Sequence, residues 1–284
     1  MRPPDGIGAR LGSAAARVFL DAVLPLAVAF VLVSLLADPT RIDTSELRAN
    51  SLLMNTRQLF RTESNPFLAA LGSSAILLLA AIAGAIALGV PAGVAYGWSG
   101  NRPLKALAWS ISTLAASLPA FFWAVLIELV MVFLWIRFGL RFLPTAGFGI
   151  DDHLVLPALA LGLRPAAYIF RLTATAVDEI RHSDYVRSAI AKGLSGRVVL
   201  MRHVVPNAAP NIIAASVLAT RGALSSLVLI EYVFIWGGAG LTFVQALGNR
   251  RLELAAAIAI SFAIGSALLA LTAELVRARV RVEA

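Results

Sequence analysis

The chain has 284 residues, 59% of them hydrophobic and only 14% charged, with a mean hydropathy of +0.83. Soluble domains run at roughly 45–50% apolar and about 25% charged, so this composition excludes an ordinary soluble core and fits a chain that crosses a bilayer several times. The net charge of +8 does not point to nucleic acid, because the basic residues fall between apolar runs and form no stripe interleaved with aromatics; the absence of cysteine excludes disulfides and thiolate chemistry.

Residues 1–17 carry Arg2, Arg10 and Arg17 ahead of an apolar run at 18–37. That run is long enough to span and no small-residue cleavage pattern stands out, so it reads as a retained first span entering from the cytoplasm. Asp21 lies near its interface and Pro25 kinks it. Residues 38–66 are polar and of mixed charge and read as a short external segment. The chain therefore divides into residues 1–66, holding this span and segment, and residues 67–284, forming the main transmembrane domain.

A second span at 67–96 is rich in Ala and Gly, and Gly84, Gly89 and Gly93 permit close helix packing in lipid, with Pro91 predicting a bend. Residues 97–105 form a basic turn in which Trp98 reads as an interface anchor. The third span is expected at 106–136, with Pro119 and Glu128 inside it, and an external loop at 137–152. The fourth runs over 153–174 and the fifth over 209–235; a Gly-rich external loop opens at Trp236, and the sixth span covers 252–275 before a basic tail. With both termini cytoplasmic, inside segments hold 14 of the 24 basic residues and outside segments 8, the bias expected of that orientation.

The segment between the fourth and fifth spans is of another kind. Arg187, Lys192, Arg197 and Arg202 recur every five residues, a costly pattern in hydrocarbon. A helix-forming run over 185–192, broken at Gly193 and resumed over 195–204 before Pro206, predicts two short helices joined by a bend. Each has an apolar and a basic side, which suits a segment lying along the membrane surface with one face open to another protein or to anionic headgroups.

Glu128, Arg164, Arg221 and Glu231 lie within or near hydrocarbon depth and are candidates for a translocation path or for intramembrane pairing. Arg221 and Glu231 stand about 15 Å apart along one helix and cannot pair with each other, which leaves Glu128 with Arg164 or Arg221 as the pairing across helices. No Gly-rich phosphate loop precedes a Lys-Ser/Thr pair, so no nucleotide site is expected. His153, His182 and His203 are scattered without metal-ligand spacing, so no metal site is expected. No acid, base and nucleophile converge, so the chain does not read as an enzyme.

Residues 184–194 read Asp-Tyr-Val-Arg-Ser-Ala-Ile-Ala-Lys-Gly-Leu, and Arg202-His203, Val205-Pro206 and Asn207-Ala208 follow. These residues, with His153-Leu-Val-Leu-Pro157 and Glu231-Tyr-Val-Phe234 before a Gly-rich turn, resemble the inner-membrane permease subunits of binding-protein-dependent ABC importers, in the dipeptide, oligopeptide and nickel branch. Residues 184–194 differ from that branch's wording only at Ser188 and Ile190. In the family's cytoplasmic signature Ala189, Gly193 and Pro206 match outright, Arg187 and Ser188 stand in its first two places, and His203 stands near its close.

The resemblance implies an all-helical, type I-like permease in the bacterial inner membrane with about six spans. It implies that residues 184–206, with Arg187, Ser188, Ala189, Lys192, Gly193, Arg197, Arg202, His203 and Pro206, form a coupling segment that docks on an ATPase subunit. It further implies a second, homologous permease chain, two ATP-binding subunits that carry the ATP and Mg, and an external solute-binding protein. Small peptides are the implied cargo, with nickel or a metal chelate the alternative inside the family. An ion-gradient-driven secondary transporter is the alternative from another class and would predict inverted repeats.

Overall fold

The structure is a computed structural model and describes residues 66–140 and 142–282, with side chains to residue 275. The expected first span at 18–37 and the external segment to residue 65 lie outside the described residues. The helices are α1 (Pro66–Trp98), α2 (Arg102–Ser117), α3 (Ala120–Phe138), α4 (Val155–Arg181), α5 (Asp184–Ala191), α6 (Gly196–Val199), α7 (Val205–Val233), α8 (Ala239–Gly248) and α9 (Leu252–Val282). A 3-10 turn, Asp152–Leu154, leads into α4, and a π turn, Leu200–Val204, joins α6 to α7. The all-α expectation holds over the described residues, and five stretches of helix there are long and apolar enough to cross a membrane: Pro66–Trp98, Ala120–Phe138, Asp152–Arg181, Gly196–Val233 and Leu252–Leu275.

α4 is the centre of the bundle, packed along α1 and against α2, α3 and α7, while α9 lies on α7. Lipid chains are as apolar as leucine, so two helices gain from contact in a bilayer chiefly by fitting closely. The α1–α4 contact is built for this. Ala81, Ala85, Gly89, Gly93 and Gly97 recur every fourth residue of α1, on one face, and all are buried. A Cβ on Gly89 would sit 2.8 Å from the Ala166 carbonyl oxygen, and one on Gly97 would sit 2.7 Å from Val177 Cβ. From the other side, a Cβ on Gly162 of α4 would lie 2.9 Å from the Ala81 carbonyl oxygen.

The expected third span is two helices. Pro119 has no N–H and its ring drives the preceding residue out of the helical region, and Leu118 is accordingly extended at φ −94°, ψ 143°. α2 ends there; α3 begins at Ala120 and closes on Gly139 in the left-handed conformation at φ 68°. The Trp123 indole bridges the break by donating to the Ala115 carbonyl oxygen at 3.1 Å, which satisfies a carbonyl near the α2 terminus. Pro91, Pro165 and Pro210, in contrast, lie inside continuous helices.

Further boundaries differ from expectation. α4 runs on to Arg181, beyond the expected 174, because Thr175–Ile180 continues its buried face with Ala176 and Val177. Part of the expected Gly-rich loop after Trp236 is the helix α8, packed against α7, α9 and α1.

The α1–α4 seam makes a direct prediction. Gly93→Leu would drive its side chain into Thr173, whose Cβ already lies 2.6 Å from an ideal Gly93 Cβ, and should lower the stability of the purified chain by about 1–3 kcal/mol. Gly72→Ala, which meets nothing within 4 Å, should leave the melting temperature in detergent unchanged. Equal melting of the two variants would count against this seam.

Candidate functional site

Residues 184–206 fold as the predicted pair of short helices. α5 ends in a left-handed residue, Gly193 at φ 83°, and two hydrogen bonds close the turn: Gly193 N–H to the Ile190 carbonyl oxygen at 2.9 Å and Leu194 N–H to that of Ala189 at 3.3 Å. This six-to-one and five-to-two pairing takes up the helix's terminal carbonyls, and only glycine enters it without steric cost. The second helix departs from expectation. It does not stop at Pro206 but passes through the π turn into α7, where Pro206 occupies the first turn. Proline donates no N–H, and just ahead of it the wider π turn closes with Val205 N–H on the Leu200 carbonyl oxygen.

One side of the segment is buried. Val186 and Ala189 of α5, Val199, Val204 and Ala208 pack against Ala176 and Val177 of α4, with Val94 and Trp98 of α1 at the edge. The other side is open: Arg187, Ser188, Lys192, Arg197, Arg202 and Pro206 are exposed, as are the large apolar residues Tyr185, Ile190, Leu194 and Met201. Of the predicted residues, Ala189 is buried and His203 half-buried. The His203 carbonyl, in the π turn, accepts from Asn207 Nδ2 at 2.5 Å, and the same amide donates to the Tyr185 hydroxyl at 3.3 Å. Asn207 thereby ties the π turn to α5.

Three cations near this end of the bundle carry contacts that spacing did not reveal. Arg181, in the last turn of α4, donates from Nη1 to the carbonyl oxygens of Trp98 at 2.8 Å, Ser99 at 3.2 Å and Gly97 at 3.4 Å. Its guanidinium carbon stands 5.4 Å from the centre of the Trp98 ring. Arg171 donates to Ser112 and Thr113 of α2, and Lys105 pairs with Asp178 of α4 at 3.3 Å.

The intramembrane candidates separate. Arg164 is exposed on α4, Arg221 half-buried on α7 and Glu128 half-buried on α3; among the described residues no ion pair joins Glu128 to either arginine. Glu231 is fully buried at the end of α7. Its Oε1 accepts from the Ser74 hydroxyl at 2.5 Å, and its Oε2 accepts the backbone N–H groups of Gly240 at 2.7 Å and Leu241 at 3.1 Å. A carboxylate at a helix N-terminus meets free N–H donors and the positive end of the helix dipole, and Glu231 thus closes the start of α8. The Ser74 hydroxyl in turn accepts from Ala239 N–H at 2.8 Å, while the Trp236 indole donates to the Ser73 carbonyl oxygen at 3.1 Å. Gly238 and Gly240 are required here, because a Cβ on either would run into the Glu231 carboxylate.

The corner that delivers α8 to this carboxylate is strained. α7 ends in the same closing motif as α5, with Trp236 N–H bonded to the Glu231 carbonyl oxygen at 2.8 Å, but its left-handed residue is Ile235 at φ 53°. A β-branched residue pays for that conformation.

With this geometry in place, relationship to known proteins is clear. Residues 85–282 match the family described as the binding-protein-dependent transport system inner membrane component, and the chain belongs to that family. It is 29% identical over 220 residues to the dipeptide transport system permease protein DppB of Alkalihalophilus pseudofirmus, covering 69% of this chain and 65% of the relative. It is 32% identical over 180 residues to DppB of Bacillus subtilis, covering 63% and 55%. It is 29% identical over 216 residues to the peptide transport system permease protein SapB of Salmonella typhimurium, covering 67% of each. The matched stretch thus spans between about half and two thirds of these relatives' own length.

Two substitutions test the buried corner. Glu231→Gln presents an amide to the Gly240 and Leu241 N–H donors and should cost about 1–3 kcal/mol, read as a lower melting temperature in detergent. Ile235→Gly relieves the left-handed strain, and because Ile235 is 58% exposed little packing is lost. It should stabilise the chain by about 1 kcal/mol, measured in the same assay.

Proposed function

We propose that this chain is one permease subunit of an ATP-driven importer, that it moves small peptides across the cytoplasmic membrane, and that residues 184–206 are the segment on which an ATPase subunit docks. The observation that carries the reading is the two-sided character of that segment. Its back is packed on α4, while its front presents Tyr185, Ile190, Leu194 and Met201 among four exposed cations. Large apolar side chains kept in the open beside charges mark a surface meant for a protein partner. Arg187, Lys192, Arg197 and Arg202 would meet carboxylates at the rim of a cleft that receives the apolar residues.

ATP and Mg would be bound by two such ATPase subunits. A second permease chain of similar fold would complete the central path, and an external solute-binding protein would deliver the cargo. Both termini and residues 184–206 would face the cytoplasm. Closure of the ATPase pair would push the docked segment and rock the bundle between outward- and inward-open states, a motion of packed helices rather than of the membrane. Peptide cargo is favoured over nickel or its chelates because the relatives named above are described as dipeptide and peptide permeases.

Reversing all four cations to glutamate should abolish co-purification of the ATPase subunits from detergent while the permease pair still forms. Intact chain that purifies without an ATPase and moves solute on an ion gradient alone would overturn the importer reading.

A further inference from the structure

Chain connectivity carries a push on residues 184–206 into α4, which precedes them, and into α7, which follows. α1 is separated from the segment by more than 80 residues of sequence, yet the structure fastens it there by two kinds of contact. Trp98, the last residue of α1, packs at the edge of the cluster formed by Val186, Ala189 and Val199, and its ring lies 3.5 Å from where a Cβ on Gly196, the first residue of α6, would stand. The opposite partner of Trp98 is Arg181, whose Nη1 gathers the carbonyls of Gly97, Trp98 and Ser99. Helix carbonyls at a C-terminus have no partner within the helix, and a guanidinium there meets both their lone pairs and the negative end of the dipole. The ring and the cation also attract.

We infer that Trp98 and Arg181 are positioning residues that form a second output of the docking segment, so that its displacement moves α1 together with α4. Val177 of α4 fills the place where a Gly97 side chain would be, so the two helix ends have no room to slide independently. The glycine seam above continues that contact toward Gly89, and α1 and α4 respond to the segment as one body. This inference rests on the importer reading, which supplies the push.

The test uses the assembled complex of both permease chains, the ATPase subunits and the binding protein, reconstituted in liposomes, with uptake of a labelled dipeptide and ATP hydrolysis measured together. Trp98→Leu and Arg181→Gln should each leave hydrolysis within about twofold of the intact complex and lower peptide moved per ATP by about tenfold, the scale on which single residues change coupling. Arg181→Lys, which keeps the charge, should recover part of that ratio. An unchanged ratio in both variants would overturn the inference while leaving the importer reading standing. Loss of assembly in all three variants would also overturn it, since the pair would then only hold the fold. An intact complex that hydrolyses ATP without moving the peptide would remove the importer reading, and the second output with it.

Discussion

α1 and α4 touch through backbone. Where Gly89, Gly93 and Gly97 meet α4 there is no volume for even one methyl group, and dispersion at that distance supplies the attraction that water would otherwise drive. Every other helix takes its place from this pair. α2 and α3 lie against α4, α7 packs on both α4 and α1, and α9 is carried by α7. The pair forms one rigid unit, and its rigidity comes from residues that contribute no side chain.

The two ends of the bundle are then secured by opposite charges. At one end a carboxylate, Glu231, collects backbone N–H groups where α8 begins; at the other a guanidinium, Arg181, collects backbone carbonyls where α1 stops. Each complements the dipole of the helix terminus it meets. Both are also anchored to α1 or its end: Glu231 through Ser74, Arg181 through Trp98. α1 is thus held near both of its termini by groups from distant parts of the chain.

Much of this was legible in the sequence, for identifiable reasons. The break at Gly193 could be read because glycine has a single cheap use at the end of a short helix, and the five-residue spacing of cations excluded lipid burial. The division at Pro119 could not, because Pro91, Pro165 and Pro210 look the same in sequence and sit inside unbroken helices. Glu231 stands out in the sequence as a charge at hydrocarbon depth, but its partners are backbone groups in a stretch that reads as loop and a serine 157 residues away. Spacing along one helix cannot reveal either. Arg181 and Trp98 were hidden for the converse reason: a terminal arginine and a boundary tryptophan are ordinary at a membrane surface, and only the fold shows that they meet.

The π turn at Leu200–Val204 gives the segment unequal joints. Toward α4, His182 and Ser183 interrupt the helix before α5 begins, with Ser183 extended at φ −69°, ψ 154°. Toward α7 the helical backbone runs on from Gly196 through the π turn to Val233, although Pro206 and Pro210 donate no N–H to it. The segment thus turns sharply away from α4 and runs straight on into α7. A displacement of residues 184–206 would therefore pass to α7 along the helix itself, and to α4 and α1 through the side chains packed around Val177 and Trp98 rather than through the backbone.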